Sequence, residues 1–359
     1  MGQEWSMRAY REGDEDGILE LWKATYPERE YNREGWLRWW HWKYKENPAG
    51  PGRIWLAEHD GRIVGQKPIV PVLMKIGTKI VTAFQNIDTM THPDHRRQGI
   101  YESLSRKTVA EAEKDGIHIG YTFPSKVTHP ILVKRLGWFD VAISRIVFKP
   151  LNWQNTLTTR IDNRFLLNIC ARGGNLVSRV FCRTGEAQVM AGATINQVYS
   201  FDERINDFWN RVSDQHEIMV VRNKDYLNWR YVAVPSSKYL MHVVEKDEQI
   251  YGYLVLRYAQ QESTKVAVIF DILAESEQIA RCLISKATER CKQEGIDVVY
   301  SSMIANQAYL KAFKRNGFIS VPLLKGRWFC AFSSSPHISK AFLGNPKSWF
   351  VQIGDSDSI

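Results

Sequence analysis

Two segments of the sequence repeat each other, and this repeat constrains the fold more than any other feature. Residues 22–65 and 209–252 align without gaps at a constant spacing of 187 positions. The matches are Trp22 with Trp209, Trp42-Lys43-Tyr44 with Trp229-Arg230-Tyr231, Pro48 with Pro235, and Asp60-x-x-Ile63-x-Gly65 with Asp247-x-x-Ile250-x-Gly252. Coincidence of several aromatic residues at one spacing indicates two copies of one structural unit.

The repeat continues further along the chain at a shorter spacing. Asp115-Gly116-Ile117 aligns with Glu294-Gly295-Ile296, and residues 134–138 align with 314–318. A chain of 359 residues is long enough to bury two cores. We therefore expect four parts: a first domain at 1–150, a helical connector at 151–200, a second domain at 201–335 and a C-terminal tail at 336–359.

Each copy shows the same order of predicted elements: two helices, a hairpin, further strands, a long amphipathic helix, a buried strand, a short helix and a final strand. In the first copy they are predicted at 12–25, 34–45, the hairpin turn Asp60-Gly61, 84–91, 100–115, 117–123, 126–135 and 141–148. In the second copy the first two helices are predicted at 201–213 and 224–231. This mixture of strands and helices predicts an α/β fold.

Composition restricts the compartment and the partners. The N-terminal residues are charged where a signal peptide is apolar, and no apolar run is long enough for a transmembrane segment, so we expect a cytoplasmic protein. The net charge of +9 favours an anionic partner, such as coenzyme A or nucleic acid. Because the chain lacks a concentrated Lys/Arg tract and a zinc-finger spacing, we expect no nucleic-acid partner.

The cysteines predict neither disulfides nor a metal site. They are odd in number, widely scattered and without a CxxC pair: Cys170, Cys182, Cys282, Cys291 and Cys330. We expect no cysteine in the active-site cleft of the first copy, which disfavours a covalent mechanism through cysteine. Residues 160–183 mix apolar residues with arginines, which favours a connector packed across both domains; a basic amphipathic segment that touches a membrane or an acyl carrier is the alternative.

One stretch of the first copy has the pattern of a phosphate site. A strand ends at Thr91, and Arg96-Arg97-Gln98-Gly99-Ile100 opens the long helix. A helix N-terminus presents unpaired N–H groups and the positive end of the helix dipole, and a glycine there lets phosphates approach the backbone. A polar turn capped by glycine is the alternative, but the order strand, turn, glycine and long helix favours the phosphate site.

At these residues the sequence resembles the GNAT acyltransferase superfamily, whose signature is R/Q-x-x-G-x-G/A after the fourth strand. Residues 96–101 fit the signature, except that Tyr101 stands where glycine or alanine is usual. The resemblance covers nearly all of residues 6–150 and, less closely, 200–333, as in tandem-GNAT proteins. It implies two tandem GNAT-like domains, each a mixed, mostly antiparallel central sheet flanked by helices.

The resemblance also implies a cofactor site for acetyl-CoA or another acyl-CoA, with no metal. Thr89, Met90 and Thr91 would pair with the pantetheine arm, and Ser125 would contact the cofactor. The pyrophosphate would lie against Arg96, Arg97, Gln98, Gly99, Ile100 and Tyr101. An amine would attack the thioester directly, with an amide near Met90 stabilising the oxyanion.

The second copy lacks the residues expected to bind the cofactor. Gln278 and Ala280 stand opposite Gly99 and Tyr101, and two carboxylates, Glu275 and Glu277, replace the arginine pair. We expect a degenerate domain that does not bind the cofactor.

Asp88 and Tyr121 are the predicted catalytic base and acid. Asp88 is the only carboxylate in the predicted fourth strand, and burial beside the cleft would raise its pKa toward a useful value. The usual family glutamate and tyrosine are replaced by Gln85 and Val133. The structural alternatives are that Asp88 is a buried hydrogen-bond acceptor, as its counterpart Asp271 suggests, and that Tyr121 belongs to the core.

The leading functional hypothesis is an N-acyltransferase, most simply an N-acetyltransferase, that acts on a small primary amine such as an amino sugar or amino acid. One alternative is a non-catalytic acyl-CoA-binding or scaffold protein. Another is a transferase whose donor is an acyl carrier protein or aminoacyl-tRNA. Thirteen tryptophans indicate large buried surfaces, which a homodimer or a domain interface would explain equally well.

Overall fold

Two mixed sheets flanked by helices form the protein. The computed structural model of the chain describes residues 5–152, 190–235, 237–261, 263–304, 306–322 and 328–357. The first half contains β1 (Ser6–Ala9), α1 (Glu15–Thr25), α2 (Arg33–Tyr44), β2 (Arg53–His59), β3 (Arg62–Ile76), β4 (Lys79–Asn86), β5 (Met90–Thr91), α3 (Ile100–Lys114), β6 (Ile119–Thr122), α4 (His129–Arg135), β7 (Phe139–Ile143) and β8 (Arg145–Pro150).

The second half follows a similar order, with an extra strand between its first two helices, no short strand before its long helix and additions at its end. It contains β9 (Thr194–Val198), α5 (Arg204–Val212), β10 (Ile218–Val220), α6 (Lys224–Tyr231), β11 (Leu240–Lys246), β12 (Gln249–Gln261), β13 (Thr264–Ala274), α7 (Glu277–Gln293), β14 (Val298–Met303), α8 (Gln307–Arg315), β15 (Ile319–Pro322), β16 (Trp328–Ser333), α9 (Lys340–Leu343) and β17 (Trp349–Phe350). None of the helices within the described ranges has the length and apolarity needed to cross a membrane.

Each half contributes to the sheet of the other half: the second half places β16, β10 and β17 in the first sheet, and the first half places β8 in the second. In the first sheet the order is β1-β2-β3-β4-β6-β16-β7, so β16 from the end of the chain lies between β6 and β7. In the second sheet the order is β15-β8-β14-β13-β12-β11-β9, so β8 from the first half lies between β14 and β15. Most pairs are antiparallel; β4–β6 and β10–β17 in the first sheet and β13–β14 in the second are parallel.

Matched positions of the two halves pack in the same way. A Cβ placed on Gly65 would lie 2.6 Å from Cγ2 of Ile100, and one placed on Gly252 would lie 2.9 Å from Cγ2 of Ile279. In each half the helix that follows the central strands therefore lies so close to the sheet that only glycine leaves room for a side chain of its first turn. The predicted hairpin turn at Asp60-Gly61 is present, and both residues have the positive φ that a type I′ turn requires.

Two predicted strands of the first half differ from the structure. The strand predicted at 84–91 stops at Asn86 and resumes at Met90, because Asp88 adopts a left-handed conformation with φ 43° that interrupts the ladder. The strand predicted at 141–148 is two strands, β7 and β8, which separate at Ser144 and enter different sheets. The exchange of strands requires this break, and a single sequence pattern does not reveal it.

The predicted connector and tail also look different in the structure. Within 151–200, residues 194–198 form strand β9 at the edge of the second sheet rather than a helix. The helical segment predicted at 160–183 lies outside the described residues. The described part of 336–359 is packed against the two halves: β17 pairs with β10, and Trp349 and Phe350 are buried.

Candidate functional site

A cleft opens where two parallel strands of the first sheet separate. β4 and β6 pair only at Phe84 with Gly120 and at Gln85 with Tyr121. Immediately beyond, the hydroxyl of Thr122 donates to the carbonyl of Asn86 at 2.8 Å. The chain then turns away on one side toward Met90 and Thr91, which pair with β3 and not with β6.

The loop that follows Thr91 is shaped to hold an anion. Arg97 and Gly99 both have left-handed φ angles, 64° and 79°, and residues 96–99 are exposed. Gly99 caps α3 without a side chain, and nothing lies within 4 Å of the position that its Cβ would occupy. The N–H groups of the first helical turn have no acceptor within the helix and point toward this open space.

Tyr101, the departure from the family signature, does not block the loop. Its ring is half-buried against the core formed by residues such as Ala112 and Leu132. The ammonium of Lys67 lies 5.5 Å from the ring centroid on the inner side. The backbone at position 101 therefore remains usable although a large side chain replaces glycine or alanine.

Lys67 is a buried amine beside the break in the fourth strand, and the sequence analysis did not predict it. Its Nζ donates to the side-chain oxygen of Asn86 and, at 3.1 Å, to the hydroxyl of Thr89. Among the described residues no carboxylate contacts it, and its burial lowers the pKa of Lys67 to about 7. The only sequence signal was a lysine within an otherwise apolar run of strand β3.

Asp88, the predicted base, is held by two neighbouring side chains. Its Oδ2 accepts hydrogen bonds from Lys43 Nζ and from the Tyr44 hydroxyl, both at 2.6 Å. Its backbone carbonyl accepts a further bond from the side chain of Gln66 at 2.8 Å. Both side-chain donors contact the same carboxylate oxygen, so Asp88 is held as the acceptor of an ion pair and of a hydrogen bond.

The corresponding carboxylate of the second half has a matching partner. Tyr231, which the repeat aligns with Tyr44, donates to Asp271 at 3.2 Å. Asp271 is also paired with the guanidinium of Arg222, which bridges to Asp355 at 2.8 Å. Because the half without an open phosphate loop keeps the same tyrosine–aspartate contact, that contact has a structural role in both halves.

Tyr121, the predicted acid, is buried in the core of the first sheet. Its hydroxyl donates to the backbone carbonyl of Asp355 at 3.1 Å. Burial raises the pKa of Tyr121 well above its ordinary value. This hydrogen bond connects the segment around residue 355 to the first sheet.

The cleft leads to a cavity between the two halves. This cavity of about 220 Å³ is lined by the residues after β6 at 123–125, the end of β14 at 302–304, and residues 351–353 and 356–357. Ser125, predicted to contact the cofactor, lines it and forms a tight turn with Thr128. Asp357 is the carboxylate among its described lining residues.

Asp357 faces both this cavity and the buried ion pair. A narrow second cavity of about 20 Å³ is lined by Lys43 and Asp357. Although Asp357 remains accessible, the protein around it displaces hydrating water, and this desolvation raises the pKa of Asp357. The charge of Lys43 opposes the rise, and the charge of Asp88 adds to it.

The equivalent cleft of the second half is arranged differently. β13 leads almost directly into α7, and the hydroxyl of Tyr309 accepts a hydrogen bond from the backbone N–H of Ala274 at 2.9 Å. Glu275 pairs with Arg211 at 2.9 Å, and Glu277 pairs with Arg315 at 2.6 Å. The exposed arginine loop of the first half thus has no counterpart in the described residues of the second.

The family model for the acetyltransferase (GNAT) domain matches residues 6–139, the segment that carries the cleft and the loop. The first half of the chain is a GNAT domain. The match ends within β7, before the strand that the first half donates to the second sheet. No curated protein sequence matches the chain significantly.

Solved N-acetyltransferase and N-myristoyltransferase structures share the fold over most of the chain. A GCN5-related N-acetyltransferase from Anabaena variabilis superimposes with a TM-score of 0.63 at 10% identity, covering 91% of this chain and 72% of that one. A probable N-acyltransferase of unknown function from Enterococcus faecalis gives 0.64 at 10% identity, with 91% and 72% covered. N-myristoyltransferase from Saccharomyces cerevisiae with bound myristoyl-CoA and inhibitors gives 0.57 at 13% identity, with 93% and 81% covered.

Proposed function

We propose that this GNAT protein is an N-acyltransferase that moves an acyl group from acyl-CoA to a small primary amine. The observation that carries the proposal is the open, exposed loop at the start of α3, which lies beside two strands that separate. Phosphates need N–H donors and positive charge, and a thioester arm needs an unpaired strand edge. Both are adjacent in the first half.

In this proposal the donor occupies the sites expected from the sequence. The pyrophosphate lies against Arg96 and Arg97 and the N–H groups of residues 97–101. The pantetheine arm pairs with the backbone at 89–91, and the thioester points toward Ser125 and the cavity between the halves. An N–H near Met90 stabilises the oxyanion that forms when the amine attacks.

Asp357 is the base that the contacts favour over Asp88. Asp357 faces the cavity in which an amine would approach, whereas Asp88 is held by Lys43 and Tyr44. The nitrogen of the neutral amine forms a bond to the thioester carbonyl carbon, the carbon–sulfur bond breaks, the proton that the nitrogen then loses passes to Asp357, and the thiolate of coenzyme A takes up a proton from solvent. Tyr121 could act as the acid only by leaving its bond to residue 355.

For the second half we propose a structural and substrate-shaping role without cofactor. Its would-be loop is closed by the bond between Tyr309 and Ala274, and its two glutamates bring negative charge near the phosphate position. It contributes residues 302–304 to the wall of the cavity, so that it shapes the space available to the acceptor.

The donor site is tested by isothermal titration of coenzyme A, acetyl-CoA and myristoyl-CoA into the wild-type protein and two glycine variants. Gly99→Glu places a carboxylate and a Cβ at the loop. Gly116→Glu is a matched control at the other end of α3. Gly116 has nearly the same φ, 75° against 79°, and nothing lies within 4 Å of the position that its Cβ would occupy.

We expect binding by the wild type and by Gly116→Glu and loss of binding in Gly99→Glu. Comparison of the acyl-CoA ligands defines the acyl length that the cavity accepts. Absence of wild-type binding, or equal loss in both glycine variants, would reject the proposed site. A screen of amines that follows release of the coenzyme A thiol then separates a transferase from a protein that only binds acyl-CoA.

A further inference from the structure

A histidine, an aspartate and a cysteine meet on the outer side of the first sheet. Nε2 of His129 lies 2.6 Å from Oδ1 of Asp140, and Sγ of Cys330 lies 3.2 Å from the same oxygen. The three ligand atoms lie within 4.8 Å of one another. Nothing in the proposed acyl transfer uses this cluster.

The exchange of strands creates the cluster. His129 begins α4 and Asp140 lies on β7, both in the first half, whereas Cys330 is on β16 from the second half. Cys330 is paired with Asp140 across β16 and β7. Trp328, two residues earlier on β16, stacks on His129 at 4.2 Å with an interplanar angle of 14° and fixes the imidazole plane.

We propose that His129, Asp140 and Cys330 bind one divalent transition-metal ion of the zinc class. Thiolate, imidazole and carboxylate are the donors that Zn²⁺ takes in proteins, and three protein ligands leave a fourth position for water. Asp140 is about half exposed, at 51%, so an ion and its water can reach the site from solvent. Cys330 closes the inner side, because it is fully buried.

Two of the three separations between ligand atoms need only a small adjustment, and the third, between the His129 nitrogen and Sγ of Cys330, is within 4.8 Å. In a tetrahedral zinc site with metal–ligand distances of about 2.0–2.3 Å, the ligand atoms are separated by about 3.5 Å. Sγ and Oδ1 are already near this separation, and the contact between His129 and Asp140 would open by about 1 Å. Asp140 is on the exposed edge of the cluster and can make this movement without disturbing the core.

Metal binding releases a proton. In the free site the thiol of Cys330 donates to Oδ1 of Asp140 at 3.2 Å. When the ion enters, the S–H bond breaks, the metal–sulfur bond forms and the proton passes to solvent. The Asp140 oxygen, which had accepted bonds from both neighbours, becomes a metal ligand.

The test is a titration of Co²⁺, a spectroscopic substitute for Zn²⁺, into the metal-free full-length protein. We expect thiolate-to-cobalt absorbance in the near ultraviolet that saturates at one ion per chain and is displaced by Zn²⁺. Cys330→Ser should abolish the band, and His129→Gln should weaken cobalt binding at least about tenfold. Cys291→Ser is the matched control, because Cys291 is also a buried free thiol but lies in α7 of the second half.

Thermal unfolding gives an independent readout. Zn²⁺ should raise the Tm of the wild type and of Cys291→Ser, and should leave the Tm of Cys330→Ser unchanged, because only a ligand that binds the folded state stabilises it. No cobalt band in the wild type would overturn the proposal. A band retained in Cys330→Ser, while the variant still unfolds cooperatively, would also overturn it, since the ion would then bind elsewhere.

Discussion

The indole N–H of Trp42 donates to the backbone carbonyl of Trp229 at 2.8 Å, and the indole N–H of Trp229 donates to the carbonyl of Trp42 at 2.9 Å. Their rings are stacked, with centroids 4.9 Å apart and an interplanar angle of 18°. The two residues are matched positions of the sequence repeat. The contact therefore marks an approximate twofold axis between α2 and α6, where each half caps the other in the same way.

The first prediction concerns this reciprocal contact. Trp42→Phe and Trp229→Phe each remove one hydrogen bond and part of the stacked surface, so each should lower the free energy of unfolding by about 2 kcal/mol. The double variant should lose less than the sum, with a coupling free energy of about 1 kcal/mol or more. Urea denaturation measures all four proteins. Trp55 is a half-buried tryptophan of β2, and Trp55→Phe is the control. Its effect on the free energy of unfolding should add to that of either other change.

The second prediction concerns the pH dependence given by Lys67. Its pKa is lowered to about 7 in the folded state, so between this pH and the ordinary lysine value the unfolded chain carries one more proton than the folded chain. Stability should therefore rise with pH over this range, by up to about 1.4 kcal/mol per pH unit. Urea denaturation at pH 7, 8 and 9 should show that the free energy of unfolding of the wild type rises with pH relative to that of Lys67→Met. Parallel curves for the two proteins would contradict a buried, uncharged lysine.

The third prediction concerns Asp357 as the base. Because the pKa of Asp357 is raised, the rate should fall with decreasing pH at values above the ordinary aspartate range, as the carboxylate takes up a proton and can no longer accept one. Asp357→Asn should lower kcat by about 100-fold or more and remove this acidic limb. Release of the coenzyme A thiol, with the best amine from the screen, measures the profile.

Asp88→Asn separates a base from a structural carboxylate. Removal of its charge leaves Lys43 buried beside the Tyr44 hydroxyl without its counterion, and we expect a loss of about 3 kcal/mol in stability. Asp357→Asn should leave stability nearly unchanged. If Asp88→Asn keeps full stability and loses activity, Asp88 is the base and the assignment to Asp357 is wrong.

The fourth prediction concerns the arginines of the loop. Arg96→Ala and Arg97→Ala should each weaken acyl-CoA binding about tenfold, because each removes a charged donor for the phosphates. Arg290→Ala, in α7 of the second half, removes the same charge from an exposed position and should have little effect. Titrations at two salt concentrations should show a weaker salt dependence in the loop variants only. An equal loss in all three variants would indicate an effect of net charge alone.

Sequence reasoning succeeded where the signal is local. The repeat, the turn at Asp60-Gly61, the long helix from Ile100 and the GNAT signature before it are all encoded within short stretches. The helices of the first half were placed within three residues of their observed limits. Local propensity and hydrophobic periodicity decide these features, so a single sequence contains them.

Features that depend on distant partners were missed. Ser144 gives no sign that the strands before and after it enter different sheets, and the scattered cysteines gave no sign that Cys330 would meet His129. Asp357 and Lys67 were overlooked for the same reason, since burial and charged neighbours come from residues far away in the chain. Spacing along the sequence says little about a site assembled by strands that cross between two sheets.

The exchange of strands also sets an order of events during synthesis. The first sheet cannot fill the gap between β6 and β7 until the ribosome has produced β16, well over 150 residues later. Until then the growing chain leaves the facing edges of β6 and β7 without their partner strand, although the loop that follows Thr91 has already been synthesised. The emerging polypeptide thus spends most of its translation with an exposed sheet edge, which is the condition in which chaperone binding or mispairing with a second nascent chain is most favourable.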